Sequence, residues 1–363
     1  MKQPVWRSLA RKVCVAALGT WLSLAVHAGF DEGLVAAQAG NFLDALKHWQ
    51  PLAAQGHRVS QYNLALMYQG GKGVPQDAGQ AFRWFLKSAE AGYAPAQNNV
   101  ALLYGRGEGV AADEASALAW LTKAAEQGLV EAQVNLGRRL ASGTGQARDD
   151  AKAILWYTKA ADSGDLGAQI SLGRLLSRPG ASKLNEALAS KWYEAAATQG
   201  HAVSQNIIAT RYQLGRGLEA NDSRAAEWFE KAALNGNAQA QFNLAVLFGA
   251  GRGVAMDQTK ELFWYKKAAD QGLAEAQFNL GSMYAAGQGV AKDVQAAAEL
   301  YRKAADQGLT SAQNNLGAMY ENGDGVNRDL TLAIEWYQKS AARGNEWGQR
   351  NLQRLRAAAQ PSR

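Results

Sequence analysis

The sequence predicts an all-α protein, an α/α solenoid of 36-residue helical hairpins, and three columns of residues predict it. Nine glutamines stand 36 residues apart: Gln61, Gln97, Gln133, Gln169, Gln205, Gln241, Gln277, Gln313 and Gln349. Glycines keep the same interval from Gly56 to Gly344, and Asn or Asp residues keep it from Asn41 through Asn185 to Asp329. A fixed period of roughly 20–50 residues marks a stack of small units that cover one another's apolar faces.

The first element is a leader. Lys2, Arg7, Arg11 and Lys12 form a basic region, Val13–Val26 is a mostly apolar run, and Val26-His27-Ala28 has small residues where a signal peptidase reads. Residues 1–28 are therefore expected to be a cleavable signal peptide, cut after Ala28, which directs the chain to the periplasm or beyond. The apolar run has 14 residues, short of the ~20 that span a bilayer, and nothing after it is long and apolar enough to cross again. Its only cysteine, Cys14, lies inside that run, so the remaining 335 residues hold no thiol and rely on packing. Four of the 38 basic residues leave with the signal, against 32 acidic ones. The near-balance that remains gives no case for nucleic acid.

Residues 29–58 read as a capping helical pair, 59–344 as eight repeats, and 345–363 as a closing helix with a tail. Residues 275–308 show how one repeat is built. Ala276, Leu280, Met283 and Tyr284 lie on one stripe of a first helix, stopped by Gly287-Gln288-Gly289. Asp293 stands where its carboxylate can cap a second helix, striped by Ala297, Leu300, Tyr301, Ala304 and Ala305 and ended by Gly308. Helices this short are marginal alone, since about 12–15 residues are needed even for good formers. Trp84, Trp120, Trp156, Trp192, Trp228, Trp264 and Trp336 share one second-helix position and read as core anchors, with His48 at that position in the capping pair. The Gly-x-Gly pairs, met once per repeat, are turns and not a phosphate loop.

The unit A-x-x-Q-F-N-L-G-x-M-Y-x-x-G-x-G-V-x-x-D, followed by A-x-x-W-Y-x-K-A-A-x-Q-G, resembles the Sel1-like repeat, a subgroup of tetratricopeptide-like solenoids. The resemblance runs over about residues 31–359. It implies a right-handed superhelix with first helices on the concave face, and work as a non-enzymatic adaptor or scaffold for a protein partner. It also implies two alternatives: a structural part of an exported envelope complex (polysaccharide export, secretion or motility), or a β-lactam-binding or hydrolysing enzyme like cysteine-rich relatives, whose cysteine pairs this chain lacks.

The residues themselves offer no catalytic, cofactor or metal constellation. Of four histidines, His27 lies in the signal, and His57 and His201 share an exposed repeat position 144 residues apart. No His-x-x-x-His or Cys-x-x-Cys spacing and no Gly-x-Ser-x-Gly elbow occurs. Function is expected instead at the variable first-helix positions, two before and two, five and six after the leucine at 280 and its equivalents. These include Tyr62, Leu66 and Leu102 in early repeats, and Phe242, Val246 and Phe278 in late ones. In the middle come Arg106, Arg138, Arg174 and Arg178, with Arg139 and Arg211 one position along. One reading is a groove with a basic centre and apolar flanks, holding an acidic or amphipathic protein segment. The other is that these arginines pair with acids of the same or the adjacent repeat. A column of asparagines (Asn63, Asn99, Asn135, Asn243, Asn279, Asn315 and Asn351) serves either a bound backbone or the neighbouring helix. Repeat four departs from the pattern, with Arg178-Pro179-Gly180-Ala181 in place of Gly-x-Gly.

Overall fold

The structure is a computed structural model that describes residues 20–145 and 147–358. Among these it holds nineteen helices and no strand. The opening pair is α1 (Thr20–Gln38) and α2 (Phe42–Ala54). First helices of the eight repeats are α3 (Arg58–Gly70), α5 (Ala94–Arg106), α7 (Val130–Ser142), α9 (Leu166–Leu176), α11 (Ala202–Leu214), α13 (Ala238–Ala250), α15 (Ala274–Ala286) and α17 (Thr310–Asn322). Their second helices are α4 (Ala78–Glu90), α6 (Glu114–Glu126), α8 (Asp150–Asp162), α10 (Lys183–Thr198), α12 (Asp222–Leu234), α14 (Gln258–Asp270), α16 (Val294–Asp306) and α18 (Leu330–Ala342), and α19 (Glu346–Ala358) closes the chain. The chain divides into two compact units, one ending at Leu175 and the other starting at Leu176. The leader expected over residues 1–28 falls mostly outside the described residues; α1 starts at Thr20 and runs on through Ala28.

Each column of the repeat has a bond to make. The nine glutamines donate from Nε2 to the carbonyl of the alanine eight residues earlier, at 3.0–3.5 Å, which ties each first helix to the second helix before it. Their Oε1 atoms follow a second rule. In four repeats the Gln or Asn thirty positions on donates its amide to that oxygen, as Gln127 does to Gln97 at 2.7 Å and Gln271 to Gln241 at 2.8 Å. Where that position holds Ala91, Ser163 or Arg343, the Oε1 of Gln61, Gln133 or Gln313 stays buried with no partner among the described residues. A buried acceptor without a donor costs about 1–3 kcal/mol.

Asp77, Asp113, Asp149, Asp257, Asp293 and Asp329 cap the second helices as expected, each accepting from a backbone N–H two or three residues on. Repeat four breaks the column. Ser182 caps α10, which reaches 16 residues against the usual 13, and Asn185 lies inside it. With no Gly-x-Gly to end α9, the second helix starts one turn early. In the ordinary turns the first glycine takes the left-handed conformation that ends the first helix, as Gly107 does at φ 68°. The second allows a close approach: a Cβ on Gly109 would collide with the Ala78 carbonyl at the start of the preceding repeat's second helix.

The tryptophans are not the deepest anchors. Trp156, Trp192, Trp228 and Trp264 are buried, but Trp84, Trp120 and Trp336 are only half-buried. In five repeats a lysine three residues on lies over the indole at 3.9–4.3 Å, as Lys87 does over Trp84. The next column carries the core: Trp49, Phe85, Leu121, Phe229 and Tyr337 are at most 1 % exposed. The closing helix is tied down by an ion pair. Arg354 forks onto Glu321 of α17 at 2.6 and 2.7 Å.

Candidate functional site

In the first unit, Arg138 of α7 and Arg174 of α9 occupy the same repeat position on consecutive first helices, and both are exposed. Both exert their charge on the Tyr157 hydroxyl between them. Burial pushes that hydroxyl up, and a hydrogen bond with Ser171 and the two guanidiniums partly offset the rise. Arg138 donates to the Asn135 side-chain oxygen, and neither Arg138 nor Arg174 is in an ion pair among the described residues. Arg106 is exposed at the end of α5, 3.8 Å from Glu108. Leu66 and Leu102 are half-buried on α3 and α5.

Other residues of the expected groove are used inside the protein. Arg211 is 4 % exposed and unavailable to a partner. It donates to Ser190 at 2.7 Å, to Ser177 at 3.3 Å, and to the Glu186 carbonyl and carboxylate at 2.7 and 2.6 Å. Arg139 is paired with Glu114 in the same way. Residues 139 and 211 belong to a column otherwise apolar and buried, including Met67, Leu103 and Leu247. Each arginine finds a glutamate 25 residues earlier, in the first turn of the preceding repeat's second helix. That spacing was the signal in the sequence. Tyr62 is likewise core: its ring packs against Phe85 and Tyr93 at 5.4 and 5.2 Å, and burial pushes its hydroxyl up to about 12. Arg178 is half-buried in the loop after α9.

In the second unit, Phe242, Val246 and Phe278 are half-buried on α13 and α15. Phe242 packs against Tyr265 at 5.6 Å, and Phe278 against Tyr301 at 5.5 Å. The asparagines chiefly bond within the protein. Asn135, Asn243 and Asn351 donate to Asn98, Asn206 and Asn314, each 37 residues back, at 3.0–3.3 Å. Asn99 reaches the Tyr62 hydroxyl at 3.5 Å and Asn279 that of Tyr265 at 2.9 Å. Asn63 is fully buried and its amide makes no hydrogen bond among the described residues.

His57 and His201 are half-buried, not exposed, because each ring nitrogen engages a serine three residues on, Ser60 at 2.7 Å and Ser204 at 2.9 Å. Among the described residues no group of His, Cys, Asp and Glu is placed to hold a metal ion, and no helix is long and apolar enough to cross a membrane.

The Sel1 repeat family model matches eight successive segments, 58–93, 94–129, 130–165, 167–201, 202–237, 238–273, 274–309 and 310–345. The chain is similar to the crystal structure of a Sel1 repeat protein from Oxalobacter formigenes, at 30 % identity and a TM-score of 0.71, over 96 % of this chain and 99 % of that one. It is also similar to a protective antigen present in uropathogenic Escherichia coli strains that displays an SLR fold, at 29 % identity and a TM-score of 0.52, over 99 % and 92 % of the two chains. No curated protein matches the chain significantly.

Proposed function

The chain belongs to the Sel1 repeat family, and on that footing we propose that it is an exported, non-enzymatic scaffold whose first unit holds an acidic segment of a protein partner against Arg138 and Arg174. Sel1 repeat proteins are commonly protein-interaction scaffolds. The observation that carries the reading is the division among the arginines. Arg139 and Arg211 are committed to internal carboxylates, while Arg138 and Arg174, one repeat apart, present exposed guanidiniums without one. A guanidinium fork matches a carboxylate bidentately, and each charge-assisted bond contributes about 1.5–3 kcal/mol once water is excluded. Leu66 and Leu102 supply an apolar flank for the rest of the segment. Export rests on the basic and apolar leader pattern of residues 1–28. Likeness to a protective antigen, a protein the host's defences meet, is in keeping with it.

The test is crosslinking in cells, with a photoreactive group beside Arg138, followed by mass spectrometry and binding measurements on the segment recovered. The Arg138→Glu/Arg174→Glu variant should bind that segment about tenfold or more weakly at an unchanged melting temperature. Undiminished affinity in the double variant, or a recovered segment without acidic residues, rejects the reading.

A further inference from the structure

One second-helix column is alanine almost throughout. From Ala45 to Ala333 its alanines are at most 1 % exposed. The exception is Glu261 in α14. Its carboxyl lies over Gly249 of α13, in the space a Cβ there would take, and makes no hydrogen bond or ion pair among the described residues. Burial alone pushes it above the usual carboxylate range.

The same setting recurs two repeats on, complete. The repeat position of Gly249 is there Glu321, whose carboxylate accepts from Tyr337 at 2.9 Å and from both arms of Arg354 at 2.6 and 2.7 Å. The counterpart of Tyr337 is Tyr265, one turn along α14 from Glu261. The counterpart of Arg354 is Ser282 of α15, whose hydroxyl is turned to the Phe278 carbonyl at 3.0 Å and the Tyr301 hydroxyl at 2.9 Å. One repeat thus holds carboxylate, tyrosine and guanidinium, and the other holds the carboxylate and a tyrosine whose hydroxyl accepts from Asn279 at 2.9 Å, without the guanidinium. Lys260, next in sequence, is turned away to Asp257 and the Phe248 ring.

We propose that Glu261, with Tyr265 one turn along the helix and Phe242 packed on that tyrosine, forms a site in the second unit for the arginine side chain of a partner protein. The carboxylate takes the guanidinium as Glu321 takes Arg354, and the Phe242 ring on Tyr265 offers an apolar wall to the side-chain stem. Position 261 tolerates a carboxylate because Gly249 leaves room for it. Alanine, the residue of the other repeats, would fill the column without burying a charge. This site has the opposite charge preference to the Arg138 and Arg174 face and does not depend on it.

The probe is N-acetyl-arginine amide, with the neutral N-acetyl-citrulline amide as control, titrated into the full chain and followed by NMR. Saturable shifts at Ser282 and Val246 with the arginine compound, and none with citrulline, are expected. Glu261→Gln should weaken the arginine compound about tenfold or more. Ser282→Arg should occupy the site from within, raising the melting temperature and abolishing the shifts. Arg138→Glu/Arg174→Glu should take up the probe as the parent does, so failure of either proposal leaves the other standing. Equal response to citrulline, or unchanged binding in Glu261→Gln, overturns the assignment.

Discussion

Two joints between successive repeats show two ways to fill the same space. At the joint of α12 and α13, Leu247 and Ala226 are both buried, and Asp222 is tied to Arg252 at 3.0 Å. One repeat earlier, at the joint of α10 and α11, the corresponding residues are Arg211, Ser190 and Glu186 with Arg216. The outer ion pair is kept in both joints. The outer acid changes only from Asp to Glu, while the inner pair changes from leucine and alanine to arginine and serine. A buried guanidinium is tolerated there because every arm has an acceptor: Ser190, Ser177, and the carbonyl and carboxylate of Glu186. The lesson is one of substitution in sets: a polar residue enters an apolar column when its partners arrive with it.

Removing one member of the set should have the largest effect. Arg211→Ala leaves Ser190 and Glu186 facing a cavity, and should cost about 3–5 kcal/mol, measured by denaturant unfolding. Arg139→Ala breaks the equivalent pair at a more exposed place, where the side chain is 17 % accessible against 5 % for Arg211. Its cost should be about 1 kcal/mol. Equal losses in the two variants would show that burial does not separate them. Converting one joint into the other, with Arg211→Leu and Ser190→Ala together, should stay within about 1.5 kcal/mol of the parent. A loss as large as that of Arg211→Ala would break the comparison.

The converted joint should also respond less to acid. Hydrogen bonds from Arg216 and Arg211 hold the Glu186 carboxyl below its ordinary value of 4.5. A carboxyl depressed on folding contributes stability above its unfolded pKa, and that contribution disappears as pH falls through the lower folded value. Unfolding measured from pH 7 downward should therefore show the parent losing more stability below about pH 4.5 than the Arg211→Leu/Ser190→Ala variant. The smallest change expected is a gain. Ala91→Gln supplies the donor that Gln61 lacks, as Gln127 does for Gln97, and should stabilise by about 0.5–1.5 kcal/mol. No gain in melting temperature would mean that water already serves the Gln61 oxygen.

Much of this architecture was legible because a repeat prints each physical requirement many times. The glutamine and cap columns each stand for a backbone group to be satisfied and the glycine column for a left-handed backbone, and the structure gives each that role. Side-chain direction was harder to read. Arg138 and Arg139 are neighbours in sequence, yet one step turns a helical side chain by about 100°, from the exposed face into the joint. The tryptophans drew attention by size, whereas the deeper column beside them varies among tryptophan, phenylalanine, tyrosine and leucine and so left no single letter to follow. Glu261 was visible as the one acid in an alanine column, but its isolation depends on Gly249 and Ser282, in two other helices, and no spacing in the sequence joins those three.

The glutamine bond and the second glycine of most turns share a property: both meet backbone carbonyls, atoms that every residue carries. The fit of one module on the next is thus largely independent of which side chains either displays outward. Gene duplication can copy or drop whole modules without redesigning their neighbours, and selection remains free to vary the outward positions one at a time.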